Sequence, residues 1–523
     1  MTPQIPLPPF LAACKQRAKP ADRVKRIDTI CIPTANRVVT FERAARSYLV
    51  NARTFGRSPE LVVADDSPDP AVREEYRQLL VRLGKEFVVP VYYAGEEEKR
   101  AYIRHLARES SVPPALIEFA LLDPLRIGYH PGANRNALLL HTAGKPFFCA
   151  DDDTICRPVL NSSKPLSMRL SDAADPTAIW PYESFESLER ESKFTETDIL
   201  GEHERVLGSD IGSILSERPD VAVEIRHPGV MKAIHENSSR IAISWNGIAG
   251  DCGYKIPTFL FNLPEPAMRH FTRDEPSYRS MLASRQIHRS CDRLTITPGG
   301  YCQSTALAFD NRRPLPPFFP VFRGEDMIFG NVLKLFQPNS AIAYQPTSIL
   351  HVPEVARVNA GAVLAGITQH RSQTGLILVL LQLAIGPAKQ SGPPDVETVV
   401  KRAIEILNSG LFELFAMNNF RGETEHMIRT SLVQLFTYPD APAFWRQDLE
   451  MNTSTLNETA GLREYVYPAE FDQTRSPGEK AQVLKDLIAA YLELTAAWSA
   501  LWSAAVKIRG TGLPTLAAKL PSR

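Results

Sequence analysis

The sequence predicts an α/β protein with a mostly parallel sheet, helices on both faces of the sheet, and a helical C-terminal region. Short apolar runs alternate with stretches whose apolar residues recur at helical spacing, which is typical of parallel strands buried on both faces. Two of the apolar runs end directly in acidic residues, at Asp65–Asp66 and at Asp151–Asp153. After about residue 355 the apolar residues keep helical spacing alone.

The predicted elements follow in order along the chain. Continuous apolar runs predict strands at Thr29–Ile32, Leu61–Ala64, Phe87–Val89 and Phe147–Ala150. Helical spacing predicts helices at Phe41–Ala52, Ala71–Leu83, Lys99–Glu109 and Asn134–Thr142. The glycine-containing segment Trp245–Gly253 is interpreted as a tight-turn loop. We expect an N-terminal extension at 1–25, a sheet domain at 26–355 and a helical domain at 356–523.

Composition excludes several classes of protein. The 523 residues contain 59 Lys and Arg and 59 Asp and Glu, so no net positive charge favours binding to nucleic acid or anionic lipid. The seven Cys are scattered without a CxxC pair, which disfavours a disulfide scaffold or a structural zinc site. Prolines interrupt the first ten residues where a signal peptide has its apolar run, and we expect a cytoplasmic protein.

Several common catalytic motifs are absent from the sequence. No GxGxxG follows the first predicted strand, where the turn reads Pro33–Arg37 instead. No GxxxxGK[ST], HExxH or GxSxG motif occurs anywhere in the chain. These absences disfavour a dinucleotide oxidoreductase, a P-loop NTPase, a zinc protease of the HExxH type and an α/β-hydrolase.

The run Asp151–Asp153 is the strongest chemical signal in the sequence. Three adjacent carboxylates repel one another and need a cation or strong hydrogen-bond donors. Alternate side chains of an extended turn face one side, so Asp151 and Asp153 are placed to share a divalent ion, and oxygen ligands suit Mg²⁺ or Mn²⁺. A solvated acidic loop or a helix N-cap is the alternative interpretation.

Four further signals are weaker when each is taken alone. Glu325–Asp326 fits either a helix start or a general base. His351 ends a predicted strand and is either a structural histidine or a metal ligand. Asp65–Asp66 fits either an Asx-turn or a contact to a base or ribose. Arg135 either contacts a phosphate or is simply solvated or paired with an acidic side chain.

Taken together and in order, these segments resemble nucleotide-sugar glycosyltransferases of the GT-A fold, closest to the family 2 type. Ile30–Arg37 resembles the opening strand and its Pro-Thr-x-Asn-Arg turn, and Glu60–Ser67 is similar to the second strand and its acidic end. Gly132–Leu139 and Ala143–Asp153 resemble the short helix, the buried strand and the DxD motif. Gly324–Asp326 looks like the later Glu-Asp motif.

The resemblance implies a role for each of these residues. Asp326, preceded by Glu325, is the expected catalytic base. Asp151, Asp153 and His351 are the expected ligands of Mn²⁺ or Mg²⁺, and the choice between Asp151 and Asp153 as the main ligand stays open. The residues expected to bind the donor nucleotide are Pro33, Thr34, Asn36, Arg37, Asp65, Asp66, Asn134, Arg135, Asp151 and Asp152.

The implied activity is metal-dependent transfer of a sugar from a nucleoside-diphosphate sugar to an acceptor hydroxyl, with inversion. The chain is not expected to be a processive synthase, because no Gln-x-x-Arg-Trp motif occurs. The acceptor is a glycan, a lipid, a small molecule or a protein, and the run Tyr301–Phe322 is expected on its side of the site. The C-terminal helices are expected to cover the acceptor, form a homodimer or contact a membrane peripherally.

Two alternatives stay open at this point. One is a nucleotidyltransferase of related fold, although the glycine-rich loop of such enzymes has no counterpart at Pro33–Arg37. The other is a non-catalytic protein that keeps the fold as a scaffold, although Asp151, Asp153 and Asp326 are all present.

Overall fold

The computed structural model describes most of the chain. The described residues are 23–125, 127–161, 167–217, 222–225, 240–254, 258–359, 373–386, 395–462, 467, 471, 474–512 and 515–521. Most of the expected extension 1–25 therefore lies outside them. Val24 and Ile27 are described and are buried against the sheet.

The N-terminal half alternates strands and helices, as predicted. Its elements are β1 (Thr29–Thr34), α1 (Val38–Thr54), β2 (Glu60–Asp65), α2 (Pro70–Phe87), β3 (Val91–Ala94), α3 (Glu96–Ser110), α4 (Pro114–Leu121), α5 (Pro131–His141) and β4 (Pro146–Ala150). Strands β3, β2, β1 and β4 are neighbours in that order and are all parallel. Such an arrangement places the carboxyl ends of β1, β2 and β4 at one edge of the sheet.

Alternation along β1 explains why helices cover both faces of this part of the sheet. Ile30 and Ile32 belong to a core cluster with side chains of α1 and α2. Cys31 belongs to a second cluster with side chains of α3 and α5 on the other face. Successive side chains of a strand point to opposite faces, so every residue of this strand needs an apolar partner. The predicted α/β class is confirmed.

The predicted strand at Phe87–Val89 is wrong. Helix α2 continues to Phe87, which is buried on the same helix face as Leu80 and Leu83. Val88 follows in the left-handed region with φ +55°, where its side chain is 82% exposed. Phe87 ends the helix, Val88 and Val89 lie in the connection, and the strand begins only at Val91.

The second half of the sheet is mixed. Its elements are β5 (Thr154–Leu160), β6 (Ser167–Leu170), β7 (Ala178–Pro181), α6 (Phe185–Glu191), α7 (Ile199–Glu204), α8 (Ile211–Glu217), β8 (Ala222–Ile225), β9 (Arg240–Asp251), a 3₁₀ turn (Thr258–Asn262), α9 (Ala267–Phe271), α10 (Glu275–Ala283), β10 (Gln286–Ser290), β11 (Leu294–Thr297), β12 (Ala306–Asp310), α11 (Glu325–Phe336) and β13 (Ser340–His351). From β4 the sheet continues through β12, β9, β13, β11, β6 and β8. Strand β12 is antiparallel to both β4 and β9, which makes the whole sheet mixed.

The predicted tight-turn loop at Trp245–Gly253 is wrong for most of its length, because β9 runs to Asp251 as a buried strand. Its glycines are needed for close approach of neighbouring strands. A Cβ on Gly247 would lie 2.3 Å from Ser348 Oγ, and one on Gly250 would lie 2.3 Å from the His351 carbonyl oxygen. Gly250 also has φ +128°. The glycines therefore reflect tight packing inside the sheet rather than a turn.

The C-terminal region is helical, as predicted. It comprises α12 (Thr374–Ile385), α13 (Val396–Leu407), α14 (Phe412–Thr437), α15 (Ala443–Ala460) and α16 (Pro477–Gly510), and a short strand β14 (Ala518–Lys519) pairs with β3. By length and composition α16 is apolar enough to cross a membrane, and half of its most apolar window is buried within the protein. Trp498 and Leu501 on α16 are fully buried in the same cluster as Cys31.

Candidate functional site

A large cleft lies at the carboxyl ends of β1, β2 and β4. Its volume is about 1290 Å³. Thr34 ends β1, Asp65 ends β2, and Asp151 follows the last residue of β4. All of the residues predicted as site residues line this one cleft, and they are Pro33, Thr34, Asn36, Arg37, Asp65, Asp66, Asn134, Arg135, Asp151, Asp152, Asp153, Glu325, Asp326 and His351. Residues separated by more than 300 positions in the chain are thus brought to one surface.

The three adjacent carboxylates of Asp151–Asp153 have different partners. Asp151 Oδ1 accepts a hydrogen bond from Arg135 Nη2 at 2.8 Å. Asp152 accepts from Thr34 Oγ1 at 2.7 Å and from Arg37 Nη1 at 3.0 Å. Asp151 and Asp153 therefore have different hydrogen-bond partners, and both line the cleft. In the part of the chain that is described, no group of three or more His, Cys, Asp and Glu side chains is arranged to hold a metal ion.

Asp153 pairs with the C-terminal histidine instead. Its Oδ1 lies 3.1 Å from His351 Nε2, and its Oδ2 lies 3.4 Å from both Arg37 and Arg357. Burial raises the pKa of the Asp153 carboxyl, but His351 and the two arginines outweigh burial and hold it well below its usual range. Burial lowers the pKa of His351, whereas the Asp153 carboxylate raises it more, to about 9. The pair therefore exists as carboxylate and imidazolium when no other cation is bound.

The carboxylate of Asp153 and the imidazole of His351 would be the protein groups that hold a divalent ion here, and their facing atoms, Oδ1 and Nε2, are 3.1 Å apart. His351 Nδ1 donates to the backbone carbonyl of Asp251, which leaves Nε2 as the nitrogen that faces Asp153. Ions of this class commonly take one or two protein ligands and fill the remaining positions with phosphate oxygens and water.

Burial and neighbouring charge shift the pKa values of Asp152 and Asp153 in opposite directions. Burial and the adjacent Asp153 carboxylate raise the pKa of Asp152 to about 7, although Arg37 and Thr34 lower it. Asp152 is thus a hydrogen-bonding link between β1 and the carboxyl end of β4. We expect it to hold Thr34 and Arg37 in place.

The end of β2 has two acidic residues with different environments. Asp65 Oδ1 accepts from the backbone N–H and the hydroxyl of Ser67, which is the Asx-turn considered for this segment, and Asp65 Oδ2 accepts from Tyr93 at 2.6 Å. Asp66 contacts the ammonium group of Lys99 and lies 3.2 Å from His130 Nε2. Burial raises the pKa of Asp66, but Lys99 and His130 lower it more.

Lys99 does not line the cleft but bonds to two residues that do, and the sequence analysis missed this role. It is fully buried, and its Nζ donates to Asn134 Oδ1 at 2.6 Å as well as to Asp66. Asn134 in turn donates to the carbonyl of Thr34 at 3.0 Å. A signal was present, because Lys99 shares the buried face of α3 with Tyr102 and other apolar residues. A lysine at a core position of an amphipathic helix indicates a buried charge pair.

The predicted base lies at the first turn of α11. Asp326 Oδ1 accepts from the Met327 N–H at 2.8 Å, and Oδ2 accepts from the Ser304 N–H at 3.3 Å. Burial raises the pKa of Asp326, and burial together with Asp326 raises the pKa of Glu325 to about 7. Arg135 joins Glu325 to Asp151, with 3.4 Å between its Nε and Glu325 Oε1. Glu325 and Asp326 therefore begin a helix and also line the cleft.

The run Tyr301–Phe322 is divided between the cleft and the core. Tyr301 lines the cleft, as predicted for this run. Phe318 and Phe319 are buried, where Phe318 stacks on Phe329 and Phe319 packs edge-on against Tyr491. The prediction that the whole aromatic run lines the site is therefore wrong for these phenylalanines, because they join the sheet domain to α11 and α16.

Comparison with known proteins adds no assignment to this geometry. No protein-family model matches the sequence, and neither does any curated protein.

Proposed function

We propose that this protein is a metal-dependent glycosyltransferase of the GT-A fold. It moves a sugar from a nucleoside-diphosphate sugar to an acceptor hydroxyl, with inversion of the anomeric carbon and without processivity. The observation that carries the proposal is the convergence of the predicted donor, metal and base residues on one cleft. In this proposal residues 26–355 form the catalytic domain, and residues 356–523 form a helical accessory domain.

The diphosphate end of the site is the group around Asp153. Asp153 and His351 would hold Mn²⁺ or Mg²⁺. When bound, the ion supplies positive charge that stabilises the departing diphosphate. Arg37 and Arg357 already lie beside Asp153, and their guanidinium groups suit phosphate oxygens because they donate several hydrogen bonds in one plane.

Asp326 is the group that accepts the proton. As the acceptor oxygen attacks the anomeric carbon, the bond from that carbon to the diphosphate oxygen breaks and its electron pair leaves with the nucleotide. The proton of the acceptor hydroxyl passes to Asp326 Oδ. The raised pKa of Asp326 makes its carboxylate a stronger base than one in open water. A single displacement of this kind inverts the anomeric carbon.

The donor nucleoside is expected against Asp66 and Asn134, which the buried Lys99 holds in place from behind. These side chains are bonded to one another and to the end of β1, so their positions are set before the nucleotide arrives. Preorganised polar groups of this kind bind a ligand without the cost of ordering them first.

Metal-dependent nucleotide binding tests the proposal. We would measure thermal stability of the full chain with UDP, GDP, CDP or ADP, each with Mn²⁺ or with EDTA. Saturation at about 100 times Kd stabilises the folded state by about 2.7 kcal/mol. At least one nucleoside diphosphate is expected to raise Tm with Mn²⁺ and not with EDTA, and Asp153→Ala is expected to abolish the rise.

Asp486→Ala is the matched control, because Asp486 is an exposed carboxylate on α16 whose partner is Gln482. This variant is expected to respond like the wild type. The absence of any metal-dependent response in the wild-type protein would contradict the proposal and favour a non-catalytic scaffold.

A further inference from the structure

The two ends of the cleft differ in chemistry. The end around Asp66 and Asp153 is lined by charged groups with close partners. Near Asp326 the lining also includes neutral polar side chains. We call this second surface the neutral wall, and it consists of Tyr254, Tyr301, Gln303, Thr305 and Gln373.

The neutral wall lies directly beside Asp326. The N–H of Ser304, between Gln303 and Thr305, donates to Asp326 Oδ2 at 3.3 Å. On the other side, Gln373 Nε2 donates to the carbonyl of Arg323 at 3.1 Å, just before the turn that leads to Asp326. A molecule held on this wall would therefore present its groups to the carboxylate that is the proposed base.

A directed hydrogen-bond chain orients the amide of Gln303. Arg289, which is 3% exposed, donates to the hydroxyl of Tyr254. The Tyr254 and Tyr301 hydroxyls are 2.7 Å apart, and Tyr301 donates to Gln303 Oε1 at 2.8 Å. A guanidinium cannot accept a hydrogen bond, so the Tyr254 hydroxyl donates to Tyr301 and the Tyr301 hydroxyl donates to Gln303. The Gln303 Nε2 group then makes one long contact, 3.4 Å to the Cys252 carbonyl, and keeps an N–H for a ligand.

Two further polar atoms on the wall have no hydrogen-bond partner among the residues that the structure describes. They are Thr305 Oγ1 and Gln373 Oε1, and both are buried. An unsatisfied buried polar atom destabilises the folded protein, and a ligand that supplies the missing hydrogen bond removes that penalty. The wall thus offers an N–H donor, a carbonyl acceptor and a hydroxyl that is both.

This set of groups selects among the possible acceptors. An anionic acceptor needs cations that are not already paired. Arg289, which contacts Tyr254 and Tyr301, is buried and paired with Asp175, and Arg135 is paired with Asp151 and Glu325. A lipid chain needs a continuous apolar surface, which amides and hydroxyls interrupt. A neutral saccharide carries many hydroxyls that both donate and accept, and its C–H faces suit the rings of Tyr254 and Tyr301.

We infer that the acceptor is a neutral saccharide whose hydroxyls bind Gln303, Thr305 and Gln373 while one hydroxyl faces Asp326. This inference rests on the proposed function, because it identifies the second substrate of the same site.

The test is direct binding to the full chain saturated with the nucleoside diphosphate that stabilises it, in Mg²⁺. Saturation-transfer NMR would compare four sets of probes: neutral mono- and oligosaccharides, glucuronic acid and glucose 6-phosphate, farnesyl phosphate, and a serine- and threonine-containing peptide. A neutral saccharide is expected to bind. Its Kd is expected to rise at least tenfold in Gln303→Leu and in Gln373→Leu, with the nucleotide Kd unchanged within twofold.

Two further variants keep the test independent of folding. Gln382→Leu is the matched control, because Gln382 is an exposed glutamine on α12, and it is expected to bind the saccharide like the wild type. Tyr254→Phe keeps the ring and removes one hydroxyl from the hydrogen-bond chain that orients Gln303. This variant is expected to weaken saccharide binding while Tm and nucleotide binding are retained.

The outcomes also separate this inference from the proposed function. Nucleotide binding without neutral saccharide binding, or binding of an anionic, lipid or peptide probe instead, would overturn the inference alone. Unchanged saccharide affinity in both glutamine variants would also overturn it. Absence of nucleotide binding would overturn both.

Discussion

Asp153 Oδ1 and His351 Nε2 lie 3.1 Å apart, although 198 positions separate the two residues in the chain. Strand pairing produces this contact. His351 is the last residue of β13 and pairs with Thr154 at the start of β5, and the N–H of Val352 donates to the Asp153 carbonyl at 2.8 Å. The register of two strands therefore sets the geometry of the proposed metal site.

Loss of either member of this pair is expected to remove metal binding. Asp153→Ala and His351→Ala should each weaken Mn²⁺ affinity at least tenfold, because two protein ligands hold the ion and the diphosphate supplies the rest. Asp151→Asn should change the affinity less, because Asp151 is bonded to Arg135. Titration calorimetry with Mn²⁺ and the stabilising nucleotide would measure this. Equal losses in Asp151→Asn and Asp153→Ala would assign the ion to a different part of the acidic run.

Asp326→Asn is expected to block transfer and leave donor binding intact. Removal of a general base lowers kcat by about 10²–10⁴-fold. Asparagine keeps the shape of the side chain, and its one carbonyl oxygen can accept from one of the two N–H groups, of Ser304 and Met327, that bond to Asp326. Steady-state kinetics would show a loss in kcat with an unchanged KM for the donor. A variant with near wild-type kcat would exclude Asp326 as the base.

Lys99→Met is expected to destabilise the fold. The substitution leaves the Asp66 carboxylate buried without its ammonium partner, and breaking a buried ion pair from one side costs about 3–5 kcal/mol. Urea denaturation would measure the free energy of unfolding. The double variant Lys99→Met with Asp66→Asn should recover part of the loss, because no charge is then left unpaired.

Lys401→Met is the control for that substitution, since Lys401 is exposed on α13. Its effect should stay within about 0.5 kcal/mol. A Lys99→Met protein as stable as this control would show that the buried pair contributes little.

Two buried histidines are expected to make the protein less stable in acid. Burial lowers the pKa of His203 and of His288 to about 4, whereas an unfolded histidine has a pKa of about 6.5. The unfolded chain therefore binds more protons below pH 6.5, and stability falls as the pH drops from there toward 4. Each histidine should contribute a loss of about 2 kcal/mol at pH 5.

Urea denaturation at pH 8, 6.5 and 5 checks this expectation. His203 lies between Ser244 and Asn246, at 2.8 and 2.7 Å, so glutamine is the substitution that best preserves hydrogen bonding there. His203→Gln should lose less stability between pH 8 and pH 5 than the wild type. The same loss in both proteins would show that His203 is not a cause of the acid sensitivity.

Local sequence patterns were sufficient for the α/β class and for choosing residues that the structure brings together in one cleft. Strands such as β1 are apolar between their ends, and the polar residues Thr34, Asp65 and Asp151 come at or just after strand ends, where the sheet leaves a cleft. These are short-range features of the chain. For that reason the candidate residues could be chosen before their spatial arrangement was known.

The remaining features depend on contacts between distant segments. Gly247 and Gly250 are typical of a turn in sequence, and only the neighbouring strand shows that they permit close packing. Asp151 bonds to Arg135 because α5 lies beside the end of β4, and the spacing of the three aspartates does not reveal this contact. The neutral wall combines residues from three separate segments, and no spacing in the sequence relates Tyr254 to Gln373.

Release of free nucleoside diphosphate from a panel of nucleotide sugars with Mn²⁺ tests the central claim most directly. Sugar transferases commonly hydrolyse their donor slowly when water replaces the acceptor. The account predicts release from at least one donor, abolished by EDTA and by Asp153→Ala and reduced in Asp326→Asn. No release from any donor, together with no metal-dependent nucleotide binding, would contradict it.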